Sequence, residues 1–187
     1  MLRLITILTV LNFGLPAFAV EVGEDGLHKP DWLRETFKDM AEDLAEASAE
    51  GKRLLIIVEQ RGCIYCTKMH EEVFPDPEID ALIREHYFVV QLNLFGDVEV
   101  TDFDGTTLPE KAMAMRWGVL FTPTLIFAAE TAPASGTLAE AAVATMPGAF
   151  GIETTKNLLT WIVERGYEGP EHFQKYHARM LAEGGGG

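Results

Sequence analysis

Cys63 and Cys66 are the only cysteines in a chain of 187 residues, and just Ile64 and Tyr65 separate them. The run before them, Leu54-Leu55-Ile56-Ile57-Val58, is continuously apolar and predicts a buried strand. The run after them, Thr67 to Phe74, predicts a helix closed by Pro75. The pair therefore stands where a strand turns into a helix, with both sulfurs on the helix's first turn, close enough to form a disulfide. Unpaired N–H groups and the positive end of the helix dipole stabilise a thiolate at such a place. Cys63, at the helix start, is accordingly expected below the pKa of a free cysteine, about 8.5. Cys66, deeper in the turn, is expected to be the protected, resolving thiol. Four readings compete: a redox pair, an inert structural disulfide, half of a metal site, and coincidence. A bridge over so short a loop constrains the unfolded chain little. A zinc site normally takes four ligands, and no second cysteine pair exists to supply them. The position at a strand-to-helix junction favours the redox pair.

The rest of the chain fits that chemistry. Met1 to Ala19 reads as a secretory signal peptide: Arg3 is the positive start, Leu4 to Leu15 a short apolar core, Ala17-Phe18-Ala19 a small-x-small cleavage site. The apolar stretch is too short for a membrane span. Cleavage leaves Val20 to Gly187, a length that suits one domain, with residues 184–187 as a flexible glycine tail. Export places the cysteines where disulfides persist, the periplasm for a bacterial chain. The formal charge is −14, and −15 once Arg3 is removed. No basic stripe exists, so nucleic acid and anionic membrane surfaces are poor partners.

Pro30 and Asp31 suit a helix start and Gly51 an end, so Asp31 to Ala49 is expected as a long first helix. Leu33, Phe37, Met40, Leu44 and Ala47 form its buried stripe, and the charges between them, Asp39 and Asp43 included, a solvated face. After the helix that follows the cysteines, Glu78 to Tyr87 continues helical and Phe88 to Leu94 is a second core strand. Gly96 to Leu108 carries Asp97, Glu99, Asp102 and Asp104 and is expected as a solvated loop rimming the active site. A short helix from Pro109 to Trp117 follows, then Thr122-Pro123-Thr124 and a third strand to Ala129. Ala141 to Met146 is a weak edge strand, and helices over Glu153 to Arg165 and Pro170 to Glu183 close the chain.

This order of elements, with Cys63-Ile64-Tyr65-Cys66 in front of a helix and Phe121-Thr122-Pro123-Thr124-Leu125 opening a strand, resembles the thioredoxin fold. The stretch Val58 to His70 is similar to the exported SoxW-type thioredoxins of sulfur-oxidising bacteria, as is the extra C-terminal helix. The resemblance implies an α/β fold: a central mixed sheet flanked by helices, with an N-terminal helix and an added C-terminal one. It implies a cis-proline at Pro123 facing the disulfide, and no cofactor. Three departures stand out against cytoplasmic thioredoxin. Gly62 replaces a tryptophan, Ile64-Tyr65 replaces Gly-Pro, and Ile57 lies where a buried strand aspartate is usual. Glu59, nearer the cysteines, is then the candidate for proton handling at Cys66, against a plain exposed acid at a strand end.

The implied mechanism is thiol–disulfide exchange. Cys63 attacks a partner disulfide, and Cys66 then displaces the reduced partner. Ile64, Tyr65, Thr122 and Pro123 are the candidate substrate-binding residues, with Phe121 adding apolar contact. No histidine lies between the cysteines to stabilise the thiolate further, so the expected direction is reduction of other exported proteins, recharged by a membrane-embedded electron donor. The chain is expected to be a monomer. The rivals are a disulfide oxidase or isomerase of the same fold, and a Cu(I)-binding module. The latter would use Cys63 and Cys66 with Met69 or His70, which follow Cys66 by three and four residues on its helical face.

Overall fold

The computed structural model describes residues 20–133 and 135–184; the signal peptide read over residues 1–19 and most of the glycine tail lie outside them. A four-stranded sheet forms the centre, in the order β2-β1-β5-β6. β1 (Arg53–Glu59) runs parallel to β2 (Tyr87–Asn93) and antiparallel to β5 (Thr124–Ala128), which pairs antiparallel with β6 (Ala142–Pro147). The sheet is therefore mixed.

Alternation along the strands splits the core in two. Leu54, Ile56 and Val58 of β1 join Phe88, Val90 and Leu92 of β2 under α1 (Met40–Ala49) and α4 (Glu110–Arg116). Leu55 and Ile57, with Val89, Leu125 and Phe127, face the other way. There they pack against α3 (Pro77–His86) and α6 (Ile152–Val163), with Tyr176 of α7 (Phe173–Gly184) and Met69 beneath. Glu59 and Gln91 share the parity of Ile57 and Val89, so they fall on this second face, at its apolar floor. Two polar residues there need internal partners.

The cysteine helix is α2 (Ile64–Lys68), continued by a single π-helical turn, Met69–Val73. Asp76 then caps α3, accepting from the backbone N–H groups of Glu78 and Ile79, with Pro77 in the first turn.

Two expectations are corrected. The first helix begins at Met40, not Asp31. Asp39 is its cap, accepting from the N–H groups of Ala41 and Glu42. Residues 31–38 instead run as a strap along the free edge of β2, where Arg34 N–H donates to Val89 C=O and Leu33 pairs with Val89. Backbone pairing with an open sheet edge competes with helix formation, and here it wins. Phe37 consequently points into solvent at 94% exposure, while Asp43, read as solvated, is buried at 2%. The acidic stretch 96–108 is also no plain loop. It folds as a hairpin of β3 (Glu99–Thr101) and β4 (Thr107–Pro109) with Val100 buried. Asp102 is buried as well, accepting from Trp117 Nε1–H at 2.8 Å, Leu138 N–H at 2.8 Å and Arg116 at 3.0 Å. The short helix α5 (Leu138–Ala141) starts at that contact with a capping box between Thr137 and Glu140.

Candidate active site

β1 ends at Glu59, and the chain turns through Gln60, Arg61 and Gly62 into α2. Gly62 has φ 71°, the left-handed region open to glycine at little cost. Any β-carbon here would strain that turn through its φ, although the space around the residue is open. The turn is held from outside: the Arg61 guanidinium donates to the carbonyls of Glu24 and Asp25 in the N-terminal segment.

Cys63 is the cap residue of α2. Its sulfur accepts the backbone N–H of Cys66 at 3.0 Å. Cys63 and Cys66 are joined as a disulfide, with Cα atoms 5.2 Å apart. The Thr122–Pro123 peptide bond is cis. Thr122 lies directly across from Cys63: its hydroxyl donates to the Cys63 sulfur at 3.3 Å, and its carbonyl oxygen is 3.5 Å from the same atom. A thiolate at Cys63 thus meets an N–H, a hydroxyl and the start of a helix, all of which favour the charged form. Cys63 is 7% exposed and Cys66 1%. Cys63 is thus the less buried of the pair. Around it Ile64, Tyr65, Leu120 and Phe121 are exposed large apolar side chains.

Glu59 is not an exposed acid at a strand end. It is fully buried; Oε2 accepts from Gln91 Nε2 at 2.6 Å and Oε1 meets His70 Nε2 at 2.9 Å. Among its side-chain hydrogen bonds none reaches a sulfur. Gln91 is held in turn by Lys29 Nζ and by the His28 carbonyl. The His28 ring stacks on His70, and burial, with His70 beside it, holds its pKa below the ordinary histidine range. Of the side chains considered for copper, Cys63 and Cys66 are bonded to each other. Met69 is fully buried in the core, and His70 is turned to Glu59. Among the described residues the ligand atoms that do converge are those of His28, Glu59 and His70. The sequence carried a signal for part of this group. Gln91 interrupts an otherwise apolar run, and a polar residue in a buried strand asks for a partner on the same face. Nothing in the sequence placed His28 there.

A sequence profile described as a thioredoxin-like domain matches residues 40–146, more than half of the chain. The chain belongs to the thioredoxin-like family. No curated protein sequence matches it. Among solved structures it is similar to a thioredoxin-fold protein from Helicobacter pylori, with 18% identity and a TM-score of 0.58 over 81% of this chain and 89% of that one. It is also similar to a thioredoxin from Thermus thermophilus, with 21% identity and a TM-score of 0.52 over 72% and 95%. At such identities these likenesses speak to the fold. In a thioredoxin-like chain, the Cys63–Cys66 pair at the strand-to-helix junction is the redox centre of a thiol–disulfide oxidoreductase.

Proposed function

We propose that this protein is an exported reductase of protein disulfides, of the SoxW type within its family. The leader over Met1 to Ala19 carries it to the periplasm. Cys63 thiolate attacks a partner disulfide, and Cys66 resolves the mixed disulfide that forms. Partner chains dock over Ile64, Tyr65, Phe121, Thr122 and Pro123, and a separate, membrane-embedded donor restores the dithiol. No helix among the described residues is long and apolar enough to cross a membrane.

One observation carries the direction. The Cys63 sulfur is stabilised by one backbone N–H and one hydroxyl, while Ile64 and Tyr65 place no imidazole in the turn. Moderate stabilisation of the thiolate means moderate stabilisation of the dithiol, and hence a reducing couple. The test is the equilibrium potential of the Cys63–Cys66 pair. A value near −270 mV, roughly thioredoxin's, is expected; one near −120 mV, roughly that of a strong oxidant, gives the protein to the oxidase reading.

A further inference from the structure

The turn that delivers Cys63 is weakly closed from within. Cys63 N–H donates to Gln60 C=O across 3.3 Å, longer than most such bonds, and Gly62 adds no side chain to steady it. Yet the Cys63 sulfur has to stay within reach of both Cys66 N–H and the Thr122 hydroxyl. Both contacts move with that turn.

What holds it comes from the N-terminal segment. Residues 22–28 form a tight loop. Val22 bridges antiparallel to His28, Gly23 N–H donates to Leu27 C=O at 2.9 Å, and Gly26 N–H donates to Gly23 C=O at 2.8 Å. Leu27 anchors the loop inside, at 2% exposure. The loop turns two carbonyls toward Arg61, whose guanidinium donates from Nη2 to Glu24 C=O at 2.6 Å and from Nε to Asp25 C=O at 3.2 Å. The Arg61 side chain lies flat on the loop: a β-carbon at Gly26 would stand 2.5 Å from its Nε and 2.7 Å from its Cγ. Gly26 itself has φ 77°.

The same loop is fixed beyond Cys66 as well. The His28 ring stacks on His70, in the π-helical turn that continues α2, with centroids 4.5 Å apart. The His28 carbonyl accepts from Gln91 Nε2 at 2.9 Å, which ties the loop to β2. It therefore grips the redox segment on both sides of its cysteines. It lies outside residues 40–146, the span matched to the thioredoxin-like domain.

We propose that the loop over residues 22–28 is a clamp on the active-site turn, and that Arg61 is the positioning residue through which it holds the Cys63 sulfur against Cys66 N–H and Thr122. The proposal rests on Cys63 being the attacking thiol, as proposed above, and deepens that reading. The competing role for Arg61 is charge alone. A guanidinium two residues before Cys63 favours a thiolate wherever its side chain points. Arg61 is exposed, so that attraction is weak and screened by salt. Charge alone also requires neither two backbone acceptors nor a glycine beneath the side chain.

The pH midpoint of Cys63 alkylation by iodoacetamide, followed by peptide mass in the reduced protein, separates the two roles. Arg61→Ala should raise it by about one unit, the size of one hydrogen bond to a charged acceptor. Gly26→Ala should raise it too. That variant keeps the guanidinium and pushes it off the loop, so its effect owes nothing to lost charge. In the double variant the midpoint should equal that of Arg61→Ala alone, because the glycine acts through the arginine. The Arg61→Ala shift should also persist in 1 M NaCl, where the screening length is about 3 Å. An unchanged midpoint in either single variant overturns the clamp. So does an Arg61→Ala shift that salt abolishes, or a double variant whose shift is the sum of the two. Should Gly26→Ala open the loop altogether, Arg61 is released all the same and the midpoint still reports it. A wild type that alkylates at Cys63 but reduces no protein disulfide, such as those of insulin, fails the exchange reading and not the clamp.

Discussion

At the scale of single residues, the Cys63 sulfur is governed by three neighbours within 3.5 Å: Cys66 N–H, the Thr122 hydroxyl and the Thr122 carbonyl. The hydroxyl is the one that mutation removes cleanly. A hydrogen bond to a charged acceptor is worth about 1.5–3 kcal/mol, or roughly one pKa unit and upward. Thr122→Val should therefore raise the Cys63 thiol pKa by about one unit, read from the pH dependence of thiolate absorbance. A second residue-scale effect sits far from the cysteines. Burial pushes the Asp43 carboxyl up to about 6, with Glu46, Asp39 and Glu42 repelling its charge and only the Thr36 hydroxyl opposing the shift. A raised folded pKa means the native state binds that proton more tightly than the unfolded chain does. Stability contributed by Asp43 is thus present below about pH 4 and lost as pH rises through 6. Asp43→Asn should raise Tm at pH 7.5, by about 2–4 °C for each kcal/mol recovered, with the gain vanishing near pH 4. Equal Tm differences at both pH values would refute the assignment.

At the scale of elements, the hairpin β3–β4 is a clamp rather than a loop. Asp102 ties it to the end of α4 through Arg116 and Trp117, and to the start of α5 through Leu138 N–H. Truncating one partner of such a buried, charged network leaves the others unpaired. Asp102→Ala should cost about 3–5 kcal/mol of unfolding free energy in urea, far more than Asp97→Ala on the exposed side of the same segment. The strap over residues 31–38 is a similar case. Its apolar and acidic residues follow a helical period, yet Leu33 and Arg34 pair with Val89 at the edge of β2. Helical periodicity is a property of one segment, whereas an unpaired strand edge is supplied by another part of the chain.

At the scale of the whole molecule, exposed apolar side chains gather beside the reactive sulfur on a protein of formal charge −14. On the docking proposed above, Phe121, 65% exposed and adjacent to Thr122, takes up the partner. Phe121→Asp should lower kcat/KM for a protein disulfide by about tenfold, the size of a modest interface hot spot, mainly through KM. An unchanged value with a folded protein substrate would place docking elsewhere.

Much of this architecture is legible in the sequence. The two-residue spacing, the apolar run ahead of it and the helix behind it place Cys63 at a helix start. Strands β1, β2 and β5 are near-continuous apolar runs, because strands covered on both faces need no polar side. Those are local signals, carried by neighbours in sequence. The partners of Glu59 are not legible in that way. His70, Gln91 and His28 meet it from a helix, a neighbouring strand and the N-terminal segment. Whether a carboxyl is buried or solvated depends on what other segments bring to it: Asp43 and Asp102 read as surface charge, Glu59 reads equally as a group serving Cys66 or as an exposed acid at a strand end, and all three are inside. The sequence determined the redox pair and the layers that carry it. Only tertiary structure decided which ionisable groups lose their water, since burial is a property of packing between segments.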